Sequence, residues 1–209
     1  MDKNLLQDVL TKMDQHLQKD TRLHIRGGSA CILHGEEYRA TIDLDIIPRQ
    51  SHYDMADLHQ ACEKAGVLLD PTSFEDLESG KPYLQLLPEE SLILPRPKPN
   101  SEMTPWKRDK LTITTPPPAD LIISKLKRCD ALDIQDIAFL MLKFEVNANQ
   151  LKEAFNRLDE HWKTDVLLKE NFENTLRDFF DVFEEKKPCK KPSRKKELFA
   201  APELEPGFA

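Results

Sequence analysis

Asp43 and Asp45 stand one residue apart in the run Ala40-Thr41-Ile42-Asp43-Leu44-Asp45-Ile46-Ile47, where polar and large apolar side chains alternate. A strand has a side-chain period of two, so this pattern puts both carboxylates on one face and sends Ile42, Leu44 and Ile46 to the core. Carboxylates held side by side repel each other, and a divalent cation between them relieves the repulsion. Mg²⁺ prefers oxygen ligands and shares them with substrate phosphates, so the pair suits a metal clamp for nucleotide chemistry. Upstream, Gly27-Gly28-Ser29 can expose backbone N–H groups and a hydroxyl at the start of a helix, where a triphosphate would dock. Either motif alone is also ordinary: alternating acids on a strand's wet face, or a plain turn. The combination is more specific, with strand, Gly-Gly-Ser, short helix and the Asp-hydrophobic-Asp strand following about a dozen residues later. It is neither a Walker loop nor a dinucleotide fingerprint.

The elements that must position these residues are legible from periodicity. Residues 3–18 carry Leu6, Val9, Leu10, Met13 and Leu17 at helical spacing. Thr21 to Arg26 reads as a half-buried strand, Ser29 to about Glu36 as a short helix, and Ala40 to Ile47 as the carboxylate strand, ended by Pro48. A helix over Ser51–Lys64 and a short strand over Val67–Leu69 follow. Tyr83–Leu87, Ser91–Leu94 and Leu111–Thr114 are expected strands among proline-rich loops. Beyond Pro116-Pro117-Pro118 come expected helices over Ala119–Lys127, Ile134–Phe144, Gln150–Glu160 and Val166–Glu184. The fold class is therefore α+β, with a mixed sheet flanked by helices over 1–117, a helical region over 118–185 and a disordered basic, proline-rich tail over 186–209.

The 209 residues contain 39% hydrophobic and 32% charged side chains, enough for a packed core under a polar surface. No apolar run approaches the roughly 20 residues that span a bilayer, and the N-terminus has no signal-peptide character, so a cytoplasmic protein is expected. Cys31, Cys62, Cys129 and Cys189 are scattered and suit thiols rather than a disulfide framework or zinc site. The net charge of −7 is uneven: residues 186–196 hold seven Lys or Arg, while residues 1–185 carry a net of −11. An acidic body disfavours nonspecific duplex binding and suits cations held between carboxylates.

Ile25-Arg26-Gly27-Gly28-Ser29-Ala30, Leu33-His34-Gly35 and Arg39-Ala40-Thr41-Ile42-Asp43-Leu44-Asp45 together resemble the signature of polymerase-beta-like nucleotidyltransferases. The likeness is closest to a small bacterial branch that includes toxin–antitoxin nucleotidyltransferases. Pro118 to Leu126, with Asp133-Ile134-Gln135-Asp136-Ile137, is similar to the helical motif of that branch. The resemblance implies that Asp43 and Asp45 bind Mg²⁺ and that Gly27, Gly28 and Ser29 form the nucleotide loop. An acceptor then attacks the α-phosphate of an NTP and pyrophosphate leaves. Arg39 either meets phosphate or pairs with an acid, beside Thr41 in the motif. Lys125 either offers a cation to phosphate or is an exposed helix lysine. Asp133 and Asp136 are either surface acids or orient Lys125 and Arg128.

Catalytic members of that superfamily place a third carboxylate on a following strand. Here the candidate strand carries Gln85, and an amide cannot take a proton from a hydroxyl. Glu89, with Glu90 beside it, is the candidate replacement. Two functions follow as expectations. One is Mg-dependent transfer of a nucleotidyl group from an NTP to RNA or protein, in a toxin–antitoxin setting. The other is a non-catalytic protein that keeps the fold for binding a partner, such as a cognate toxin. Trp106-Lys107-Arg108 either stacks on a base or packs at the domain edge, and the basic run 186–196 either touches RNA or is a solvated tail.

Overall fold

Among residues 1–181, which a computed structural model describes, six strands and nine helices follow one another. In chain order they are α1 (Lys3–His16), β1 (Thr21–Arg26), α2 (Gly27–Leu33), β2 (Asp43–Ile46), α3 (Met55–Ala65), β3 (Leu68–Leu69), α4 (Phe74–Glu78) and β4 (Tyr83–Leu86). Then come β5 (Met103–Lys107), β6 (Leu111–Thr115), α5 (Pro118–Lys125), α6 (Ala131–Phe144), α7 (Ala148–Asn156), α8 (Glu160–Lys163) and α9 (Val166–Leu176). No helix among the described residues is long and apolar enough to cross a membrane.

The sheet runs β3-β4-β2-β1-β6-β5. It is mixed: β1 pairs antiparallel with β2 and parallel with β6, β2 and β3 pair parallel with β4, and β5 pairs antiparallel with β6. Alternation then sorts its two faces. Leu23, Ile25, Leu44, Ile46, Leu84, Leu111 and Ile113 are fully buried. They belong to one core with Leu6, Leu10 and Met13 of α1 and Ile32 of α2. Arg22, His24, Arg26, Asp43, Asp45 and Gln85 occupy the intervening positions and so share the opposite face. This is the α+β, mixed-sheet architecture expected above. The same core continues into the C-terminal helices through Leu121, Ile122, Leu140, Leu151 and Leu168.

Carboxylates fix the turns that aim β1. Asp57, at the first turn of α3, accepts from the backbone N–H groups of Gln18 (3.0 Å) and Lys19 (2.9 Å). Asp14 of α1 accepts from those of Lys110 and Leu111 at the start of β6. These bonds tie the α1–β1 turn to α3 and α1 to the start of β6, at the ends of β1 and β6 away from the Gly-Gly loop.

Several local expectations change. Ser91–Leu94 is not a strand: Glu89–Ser91 is a single 3₁₀ turn, and Leu92 and Leu94 pack on Ile47 instead. The N–H groups of Ser91 and Leu92 are spent on the carbonyls of Pro88 and Glu89 and are not free for a ladder. Trp106 lies within a strand, β5, that sequence reading did not expect because Pro105 interrupts it; as an outer strand of the sheet, β5 tolerates the missing donor. The helix after Ser51 begins only at Met55, where Asp54 caps it by accepting from the Asp57 N–H. Ile42 precedes β2 and is 37% exposed rather than in the core. The single helix expected over Gln150–Glu160 is split into α7 and α8, and the last helix changes to a π turn at Arg177–Asp181. Cys31 and Cys62 are buried free thiols and Cys129 is half-buried. Cys189, Phe183 and the tail over 186–209 lie outside the described residues.

Candidate active site

Three neighbouring strands set a row of polar side chains on the open face of the sheet. Gln85 of β4 is in register with Asp45 of β2, and Asp45 is in register with Arg26 of β1. Asp43 lies one period away along β2, in register with Tyr83. Arg26, Asp43 and Asp45 of this row form one wall of a cleft of about 500 Å³ with Gly27, Gly28 and Arg39, while Gln85 lies outside its lining. The opposite wall comes from the end of α5, the start of α6 and the turn between them: Lys125, Lys127, Arg128, Asp130 and Asp133.

The two glycines are required by close approach. Gly27 has φ +74°, and a Cβ built on it would lie 2.5 Å from Asp45 Oδ2. A Cβ on Gly28 would lie 2.8 Å from Arg39 Nη2. The loop therefore packs its backbone directly against the carboxylate strand on one side and a guanidinium on the other. Gly27→Ala is expected to cost about 1–2 kcal/mol from its left-handed backbone alone, and to displace Asp45. Chemical denaturation would show it as a lower midpoint at unchanged slope; an unchanged midpoint would contradict the geometry.

Electrostatics favour a cation beside Asp45. Burial, and then the neighbouring Asp43, push the Asp45 carboxyl up to about 6, while Arg26, Lys125 and Arg128 pull it down. Two crowded oxygens-only ligands open to a cleft fit Mg²⁺, which typically takes one or two protein carboxylates and completes its shell with water and substrate phosphate. Thr41 Oγ1 donates to Asp43 Oδ1 and so orients it. Among the described residues, no three His, Cys, Asp or Glu side chains gather as a metal-holding group.

The cationic wall is supported from behind. Asp136 is fully buried and accepts from Lys125 Nζ (2.6 Å) and Arg39 Nε (3.2 Å). Asp133, itself buried, takes both Arg128 Nε (2.8 Å) and Nη2 (2.9 Å), and lies 3.4 Å from Lys125 Nζ. The network ties the loop after α2 to α5 and α6. Lys125 is thus a buried, oriented cation (5% exposed), not a solvated helix lysine. Asp133 and Asp136 hold it and Arg128 in place.

Not every expected residue reaches the cleft. Ser29 is buried and donates to the Arg26 carbonyl oxygen, so its hydroxyl serves the strand–helix turn. Glu89 is exposed in the 3₁₀ turn, 3.8 Å from Arg49, outside the cleft lining. Gln85 occupies the strand position beside Asp45, while Trp106 lies on β5, three strands from Asp45. Sequence reading overlooked Arg26 and Lys127. The signal for Arg26 was present: Leu23 and Ile25 face inward, so the next even position must share the face of the polar row.

No curated protein and no solved structure gives a significant match to the chain. A family model described as a nucleotidyltransferase of unknown function (DUF6036) matches residues 4–187, which takes in all six strands and the whole cleft. Gly-Gly loop, carboxylate strand and cationic helical wall all fall within that match, and the chain belongs to this family of nucleotidyltransferases.

Proposed function

We propose that the protein transfers a nucleotidyl group from an NTP to an RNA or protein acceptor, with Mg²⁺ held by Asp43 and Asp45. The observation that carries the reading is the convergence, in one cleft, of the paired carboxylates, the backbone of Gly27 and Gly28, and the cations Arg26, Arg39, Lys125 and Arg128. A bound Mg²⁺ would neutralise the charge that develops on the α-phosphate and the leaving pyrophosphate. Gly27 and Gly28 let the phosphates approach the backbone, and Lys125, fixed by Asp136, offers a point charge to them. The acceptor oxygen bonds to the α-phosphorus as the bridging oxygen departs with pyrophosphate. Gln85 cannot receive the proton of a hydroxyl acceptor, which passes to solvent.

A transfer assay with each labelled NTP and total RNA or protein from the source cell tests this. Label should move in the presence of Mg²⁺, and the Asp43→Asn, Asp45→Asn double variant should lose at least about a hundredfold, the scale on which single electrostatic groups act in transition states. Undiminished transfer by the double variant would refute the assignment.

Gln85 supports a second reading, in which the fold serves recognition as the antitoxin half of a two-gene module. Melting curves separate the two. A ligand that binds only the native state raises its stability by about 2.7 kcal/mol at a hundred times its dissociation constant. No shift with any saturating NTP, with or without Mg²⁺, combined with a stable complex with the product of an adjacent gene, favours recognition.

A further inference from the structure

We infer that Arg26 supplies the second positive charge at this site, so that the nucleotide complex holds one divalent ion rather than two. The inference rests on the nucleotidyl-transfer reading and names how that site meets its phosphates. Across β4, β2 and β1 the row reads amide, carboxylate, guanidinium: Gln85, Asp45, Arg26. A two-ion site balances about four positive charges with carboxylates and substrate phosphates. Here the strand face offers two carboxylates, and a fixed cation occupies the register position next to one of them. A second divalent ion on the Gln85 side would find a neutral amide, and one on the β1 side would meet Arg26 directly.

Arg26 is also distinct among the cations of the cleft. Arg39 and Lys125 are paired with Asp136, Arg128 with Asp130 and Asp133, and Lys127 with Asp165. Arg26 forms no ion pair with any described residue, and its Nε and Nη1 are buried without a hydrogen-bond partner. Burial pushes its pKa down, as expected for a charge without a close counter-ion, although Asp45 acts in the opposite direction. Nε and Nη1 are enclosed, but the side chain as a whole is half-buried and lines the cleft, so it presents there a charge without an ion partner among the described residues, which an anionic ligand would complete. Arg26 therefore meets the phosphates from the β1 side of Asp45.

The test counts ions and measures binding, so it does not depend on turnover. Wild-type protein is saturated with the α,β-methylene analogues of the four NTPs, and Mn²⁺ bound per chain is titrated by electron paramagnetic resonance. The four analogues are then titrated calorimetrically in EDTA into wild type, Arg26→Gln and Arg26→Lys. The expected results are one Mn²⁺ per nucleotide complex and metal-free affinity that falls about tenfold in Arg26→Gln, with Arg26→Lys between. Two Mn²⁺ per wild-type complex would overturn the inference and leave the nucleotide reading intact. So would an Arg26→Gln protein that binds the analogues as wild type does. Should that variant fail to fold, the wild-type ion count still decides. Failure of every analogue to bind wild type, with or without Mn²⁺, would overturn the nucleotide reading and this inference with it.

Discussion

Asp136→Ala is expected to lower the unfolding free energy by about 3–5 kcal/mol, the scale for removing one partner from a buried ionic group. The carboxylate is fully buried and is shared by Lys125 Nζ and Arg39 Nε. Its removal leaves Lys125 at 5% exposure and Arg39 at 13% facing a small apolar void. Asp133 offers Lys125 a longer contact, at 3.4 Å, and is already engaged by Arg128. Relaxation toward Asp133 therefore recovers only part of the loss. For a chain of this size each kcal/mol corresponds to roughly 2–4 °C, so a fall of about 6–20 °C in melting temperature is expected. Asp136→Asn keeps the volume and one acceptor oxygen and should fall between. A loss below about 1 kcal/mol in urea denaturation of Asp136→Ala would show that the network is not carrying its cations. Any nucleotide affinity should drop with it, because the same residue seats both Arg39 and Lys125 in the cleft.

Acidification should destabilise the metal-free protein between about pH 6.5 and 4. His24 and His34 are both buried, and burial pushes each from 6.5 down to about 4; Arg22 adds to this for His24 and Lys143 for His34. A histidine kept neutral in the native state but free to protonate when unfolded contributes its stability above the unfolded pKa. That contribution is lost as pH falls through the window between the two values. Each shift corresponds to about 3 kcal/mol at most. Asp45 acts oppositely, since its carboxyl, raised to about 6, takes up a proton in the native state before the unfolded chain does. Two groups against one leave a net loss on the order of 3 kcal/mol. Urea denaturation at pH 7.5 and 4.5 measures it. The decline should be shallower in His34→Gln, whose amide can keep the contact that His34 Nε2 makes with Thr115 Oγ1 at 2.9 Å. A wild-type stability that is level or rises on acidification would contradict the assignment of neutral, buried rings.

The placement of the paired carboxylates was written locally, and for that reason could be read. Alternation over Asp43-Leu44-Asp45-Ile46 depends only on a period of two, and Leu44 and Ile46 are indeed fully buried. The strand over Thr21–Arg26 matches residue for residue, because Gly27 at φ +74° ends it within the backbone itself. Gln85 falls within its expected strand, and the register sets it beside Asp45. The family match is consistent with the coarse reading of nucleotidyltransferase motifs.

What failed to show in the sequence required partners far along the chain. β5 holds Pro105 and makes sense as a strand only beside β6, at the outside of the sheet that the described residues form. Lys125 and Asp136, eleven positions apart on different helices, read equally well as surface residues until α5 and α6 pack and exclude water from both. Ser29 was placed in the right turn but its hydroxyl is turned to the Arg26 carbonyl, a choice made by packing around α2. By itself the sequence determined the strand–loop–strand unit and its paired carboxylates, since backbone freedom at glycine and alternation along a strand are properties of neighbouring residues. Only the tertiary structure decided which charges meet across the cleft, because side-chain pairing, burial and the lack of an ion pair between Arg26 and any described residue depend on chain segments that sequence spacing does not relate.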